Sequence, residues 1–151
     1  MKRMRLVLFS MALLVTLFGL TAIVAYAQVT THAQAVQNSH VQVTCSGNGC
    51  NGLDPQPTGC SATAYTVRTV TFSDAFVDLR YSRTCQTNWG RVRSRKGANF
   101  LSVRIQRAGG PTYTFSGGTF SIAWSAMVYA PVVKARACGG YQVIEGCTAY
   151  I

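Results

Sequence analysis

Acidic residues are scarce in this sequence and histidines scarcer. Four aspartates and glutamates stand against fourteen lysines and arginines, and the two histidines, His32 and His40, both lie in the first forty residues. Enzymes that need a base near neutral pH draw on His, Asp, Glu, Lys or Cys. A triad hydrolase would find no histidine after residue 40 to serve as its base. The sequence also lacks an internal repeat, a Rossmann or phosphate-loop glycine pattern, and, after residue 27, any capped segment with apolar residues at helical spacing. These absences disfavour nucleotide-binding α/β folds and helical bundles.

What is present begins with Lys2, Arg3 and Arg5, an apolar stretch from Leu6 to Ala25, and Ala25-Tyr26-Ala27. A charged start, an apolar middle and small residues at −3 and −1 make a secretory signal peptide over residues 1–27, cut before Gln28. An uncleaved anchor is the alternative, since the run approaches the roughly 20 residues that span a bilayer. Cleavage leaves 124 residues, one domain's worth, with no transmembrane segment expected in them. Residues 28–44 are polar and free of glycine and proline, and read as a flexible lead-in to a domain over 45–151.

All six cysteines lie in that domain: Cys45, Cys50, Cys60, Cys85, Cys138 and Cys147. An even count in an exported chain predicts a disulfide framework, with 15 possible connectivities. Cys138 and Cys147 flank Gly139-Gly140 and suit a local hairpin closure. A zinc site is the rival reading, but Cys-x4-Cys and Cys-x9-Cys are wider than the tight spacing of structural zinc sites. No metal or cofactor is expected. Asn48, Asn51 and Asp54 offer oxygen ligands of the kind calcium accepts, yet one carboxylate makes a poor calcium site, and Asp54 before Pro55 reads as a turn cap.

Strand patterns follow Cys60. Ala64–Phe72 is rich in β-branched and aromatic residues, Phe76–Ser82 alternates Val77, Leu79, Tyr81 with Asp78, Arg80, Ser82, and Phe100–Arg107 alternates in the same way. Gly109-Gly110-Pro111 predicts a turn, Tyr113–Phe115 a short strand, and Gly117-Gly118 a hairpin. Thr119–Ala130 reads as one long strand with Trp124 facing the core, followed by strands at Val132–Ala137 and Tyr141–Ile144. The expected fold is all-β, a small disulfide-stabilised sandwich or barrel.

Without the signal the chain carries a net charge of +7, which favours anionic partners such as wall polymers or acidic glycans; no specific nucleic-acid recognition is expected, and the oligomeric state is left open. The cations concentrate between Arg80 and Arg107. Alternation puts Arg91, Arg93 and Arg95 on one strand face, so Arg80, Arg91, Arg93, Arg95 and Lys96 are the candidate anion-binding set. The competing reading is a solvated edge strand kept from aggregating by charge. Asp78 beside Arg80 suggests an ion pair. Asp74, Asp78 and Glu145 are the only acids that could pair in a small glycan hydrolase. Trp89, close to the arginines, is either a recognition residue or a cover over the nearby disulfide.

Three segments together carry a resemblance: Cys45-x4-Cys50-x-Gly52-x-Asp54-Pro55-x3-Gly59-Cys60; Leu79-Arg80-Tyr81-Ser82-x2-Cys85-x3-Trp89-x-Arg91; and Met127-Val128 followed by Cys138 and Cys147-Thr148. The chain resembles the YjfA-like secreted family of Gram-positive bacteria, domain of unknown function 2690. Thr63 stands where the family pattern has an acid, and the proline expected near Met127 is replaced. The resemblance implies no established activity; it marks Asp54, Tyr81 and Trp89 as motif positions. The expected function is a non-catalytic binding domain that is secreted or held at the cell surface. The alternatives are a carboxylate-dependent glycan hydrolase and a structural envelope or spore-surface protein.

Overall fold

The computed structural model describes residues 42–151, except the side chain of Ser116. The signal peptide expected over 1–27, the lead-in up to residue 41 and both histidines lie outside the described residues. Nine strands follow the cysteine-rich segment: β1 (Ala64–Phe72), β2 (Ala75–Ser82), β3 (Thr87–Ser94), β4 (Asn99–Arg107), β5 (Thr112–Phe120), β6 (Ile122–Trp124), β7 (Val128–Tyr129), β8 (Ala135–Tyr141) and β9 (Ile144–Cys147). Single 3-10 turns at Gly47–Cys50 and Cys60–Thr63 precede them, and no α-helix occurs among the described residues.

The strands form two antiparallel sheets. One has the order β1-β2-β3-β6, with β7 also pairing β3; the other runs β5-β4-β8-β9. Alternation in β2 and β4 decides how the sheets meet, because one face of each strand is apolar. Val77 and Leu79 from β2 pack with Ile105, Ala135 and Ala137, while Ala75 and Val92 pack with Leu101, Val103 and Tyr141. The result is the all-β sandwich that the sequence predicts. The sheets approach closely at Gly90, where an added Cβ would lie 2.8 Å from Val103 Cγ2 and 3.0 Å from the Arg104 carbonyl oxygen.

Several boundaries differ from the sequence reading, each for a local reason. β3 is a full strand flanked by β2 on one side and by β6 and β7 on the other, so Arg91 and Arg93 are on an interior strand and not on a solvated edge. Gly117-Gly118 makes no hairpin. It lies inside β5, where the register slips between Leu101 and Val103 and Gly117 takes a φ of 113°. That bulge needs a residue without a side chain, since a Cβ there would sit 2.6 Å from the Phe100 ring.

Thr119–Ala130 is not one strand either. The chain leaves the second sheet after Phe120 and enters the first at Ile122, so the inward residue is Ala123, opposite Val92, and Trp124 turns outward. Gly139 and Gly140 sit within β8, which begins at Ala135, and the reversal falls at Gln142-Val143, with Gln142 at a φ of 55°. The Cys138–Cys147 bond does close that hairpin, across directly opposed residues.

The other two disulfides join Cys45 to Cys50 and Cys60 to Cys85. The first closes a loop with a sequence separation of 5, the second one of 25. Loop-closure entropy then gives about 2 kcal/mol for the short bridge and about 3.5 kcal/mol for the long one. Denaturant unfolding should show Cys60→Ala/Cys85→Ala losing more stability than Cys45→Ala/Cys50→Ala, by roughly 1.5 kcal/mol. Equal losses would mean that the 60–85 bridge does not organise the domain.

Candidate functional site

The outer face of the first sheet carries the charge. β1, β2, β3 and β6 pair so that Thr69, Asp78, Arg91 and Trp124 form one row across it, and Thr66, Arg80 and Trp89 form another. Alternation places Val77 and Leu79 in the core, so Asp78 and Arg80 must face out. Asp78 is nonetheless fully buried, because its neighbours close over it. Arg91 and Arg93 donate from Nε to Asp78 Oδ2 at 3.0 and 2.9 Å, and Thr69 Oγ1 donates to Oδ1 at 2.6 Å.

Burial works to raise the pKa of the Asp78 carboxyl, but the hydrogen bonds from Arg93, Thr69 and Arg91, together with the charge of Arg91, outweigh it and hold the group below its ordinary value. The pair expected between Asp78 and Arg80 does not form. Arg80 instead donates to Thr66 Oγ1 at 2.7 Å and to the Ala64 carbonyl at 2.9 Å. It reaches no carboxylate at ion-pair distance among the described residues. Burial, followed by the like charge of Arg91, pushes the Arg80 guanidinium below its ordinary value. Arg80, Arg91 and Arg93 therefore surround a single carboxylate, and the patch keeps an excess of positive charge.

The remaining predicted cations lie farther along the same face. The Arg93 and Arg95 guanidinium groups stand 5.0 and 5.6 Å from the centre of the Phe76 ring, and Lys96 is exposed in the bend after β3. Tyr81 lies on the inner side of β2, edge-on to Tyr65 with ring centres 5.8 Å apart. It therefore points to the opposite side of β2 from the arginine rows.

A second, smaller core sits on the outer face, beside these rows. Trp89 is 1% exposed and packs with Cys50, Cys60, Cys85 and Met127, so it does cover the sulfur atoms. The cysteine-rich loop is held there by backbone pairing: Gly52 donates to the Met127 carbonyl and Met127 to that of Leu53, while Tyr129 N–H donates to Asn51 Oδ1. Asp54 Oδ1 accepts from Gln56 N–H at 2.8 Å, a turn cap, and from the Trp124 indole N–H at 3.0 Å.

Where this loop meets the arginine rows, Gln56, Ser61, Arg80, Trp89, Arg91 and Trp124 line an open depression of about 200 Å³. Amide, hydroxyl and guanidinium groups beside two indoles can bind an anionic or hydroxyl-rich group. Sequence reasoning found the arginines and Trp89 but missed Gln56 and Ser61, and it turned Trp124 inward. No spacing pattern links Gln56 to Arg80; the Cys60–Cys85 bond and the pairing with Met127 bring the loop to the strand.

The three acids do not assemble into a hydrolytic pair. Asp78 is sealed by two arginines, and Asp74 lies in the β1–β2 turn about 13 Å of strand away. Glu145 is on the outer face of the opposite sheet, bound through both oxygens by Arg104. A glycosidase requires two carboxyls about 5–10 Å apart across one cleft.

Because the folded pKa of Asp78 is depressed, its stabilising contribution is complete above the unfolded value of about 3.9 and disappears as pH falls through the folded one. Asp78→Asn should flatten the stability profile below about pH 4. Arg91→Gln/Arg93→Gln should cost more, about 3–5 kcal/mol, because it strands a buried carboxylate. Unfolding titrations from pH 2 to 7 measure both, and an unchanged acid limb in Asp78→Asn would contradict the assignment.

A family model described as "Protein of unknown function (DUF2690)" matches residues 48–140, more than half of the chain. No curated protein and no solved structure matches it.

Proposed function

We propose that this chain, which belongs to the DUF2690 family of proteins of unknown function, is exported and serves outside the cell as a non-catalytic binding domain for an anionic cell-wall polymer or glycan. The observation that carries this reading is the charge balance of the outer face: Arg91 and Arg93 share one carboxylate, Asp78, and Arg80 beside them has no ion-pair partner among the described residues. A cation held half-buried against like charges is stabilised by an incoming anion, which restores local neutrality.

Two further features support binding over catalysis. The depression beside Arg80 is built by a cross-linked loop and the middle of a sheet, which pre-organises it and lowers the entropy cost of binding. The acids that a hydrolase would need are on separate surfaces. Export is motivated by the signal-like residues 1–27 and by the three disulfides, which persist in oxidising compartments. Among the described residues, no helix is long and apolar enough to cross a membrane.

Arg80 is the residue to test, because replacing Arg91 and Arg93 also strands Asp78. Residues 28–151 should be retained on purified Gram-positive cell walls at low salt and released by added salt, since exposed charges are screened within about 10 Å at 0.1 M. Arg80→Gln should weaken retention by roughly five- to tenfold with melting temperature nearly unchanged. Retention equal to that of the parent chain would overturn the anion reading, and release of soluble wall fragments would make the protein an enzyme.

A further inference from the structure

Trp124 has a second surface. On the side away from Arg80 and Arg91, Asp54, Phe115, Phe120, Ile122, Ala123 and Trp124 line a pocket of about 170 Å³ between the open edges of the two sheets. Phe115 and Phe120 meet edge-on with ring centres 5.7 Å apart, and Phe120 remains 45% exposed. Three aromatic side chains therefore stand around a small space, and its one charged lining residue is a carboxylate.

Asp78 and Glu145 each hold arginines, but Asp54, like Asp74 in the β1–β2 turn, makes no ion pair among the described residues, and of the two only Asp54 lines a pocket with aromatic walls. Its Oδ1 is occupied by the Gln56 and Trp124 N–H groups, while Oδ2 accepts no hydrogen bond among them. Aromatic faces and an unpaired carboxylate together are the chemistry that recognises an alkylammonium group, through the ring quadrupoles and the opposite charge. They reject an anion.

The cationic depression and the aromatic pocket share the Trp124 side chain as a common wall and Asp54's own loop as a rim. We propose that the aromatic pocket takes an alkylammonium group belonging to the same ligand whose anionic group binds at Arg80 and Arg91, so that the ligand is a zwitterionic phosphate–ammonium ester. This rests on the anion reading for its second half. The order of charges along the protein surface, cation then carboxylate, is the reverse of the order along such a ligand.

Titration calorimetry with phosphocholine, choline and glycerol phosphate on residues 28–151 tests it. Phosphocholine should bind roughly tenfold tighter than glycerol phosphate, the increment of one ammonium group held jointly by the rings and the Asp54 charge. Asp54→Asn keeps the oxygen that caps the turn and accepts from Trp124 but removes the charge. It should abolish the tenfold gain and leave glycerol phosphate binding unchanged, as should Phe120→Leu. Equal affinities for the two esters, or a gain that survives both variants, would overturn the ammonium pocket while leaving the anion reading intact. A gain lost in Asp54→Asn, with the affinity of both esters indifferent to Arg80→Gln, would retain the pocket and overturn the anion reading. Sedimentation with phosphatidylcholine vesicles, abolished by Asp54→Asn, would support the pocket and assign its ligand to a lipid headgroup; binding of soluble phosphocholine alone supports it with a non-lipid carrier.

Discussion

The Cys60–Cys85 bond is the constraint on which the outer face of the first sheet depends. A sheet of this kind ordinarily leaves its outer face to solvent, and here the cysteine-rich loop covers part of it. The bridge fastens the loop end to the β2–β3 connection and creates a buried cluster of cystine sulfur, Trp89 and Met127 outside the main sandwich core. That bridge ties down the end of the loop from which Gln56 and Ser61 reach Arg80 and Arg91, while the backbone pairing of Gly52 and Leu53 with Met127 brings Asp54 to Trp124.

Asp78 organises the charge in a different way. A carboxylate with no exposed surface is tolerated only with full hydrogen bonding, and it receives donors from three side chains on two neighbouring strands. The ordering of Arg91 and Arg93 is a consequence: their heads are fixed at Asp78, so the positive field they add at Arg80 is fixed too. One acid serving two bases is what leaves Arg80 unneutralised. The order of this face and its excess of positive charge come from the same imbalance.

Much of this was legible in the sequence where one physical cause acted alone. β-Branched and aromatic richness in Ala64–Phe72 and alternation in Phe76–Ser82 and Phe100–Arg107 report half-buried strands directly, and those three became β1, β2 and β4 nearly residue for residue. The even cysteine count announced the disulfides, and the arginine alternation announced a shared face. Reading failed where two causes competed. Phe120, Ile122 and Trp124 alternate as a core face would, yet a change of sheet at Ser121 reverses their side, and the inward place goes to the small Ala123 because β3 lies close by. Gly117-Gly118 matches a hairpin signal, but a bulge in a continuing strand makes the same demand for glycine. Gln56, Ser61 and Asp54 were beyond reach as site neighbours, since their proximity to β3 and β6 follows from connectivity, which spacing does not encode.

The chain contains two tryptophans, Trp89 and Trp124, and both line the depression beside Arg80 and Arg91, so the indole N–H resonances of the 28–151 protein report on that site. Titration with an anionic poly(glycerol phosphate) at low salt should shift the Trp124 resonance strongly and the buried Trp89 resonance weakly, saturably and reversibly on raising salt. If the polymer binds while both resonances stay unmoved, the anionic partner docks elsewhere and the central claim is wrong.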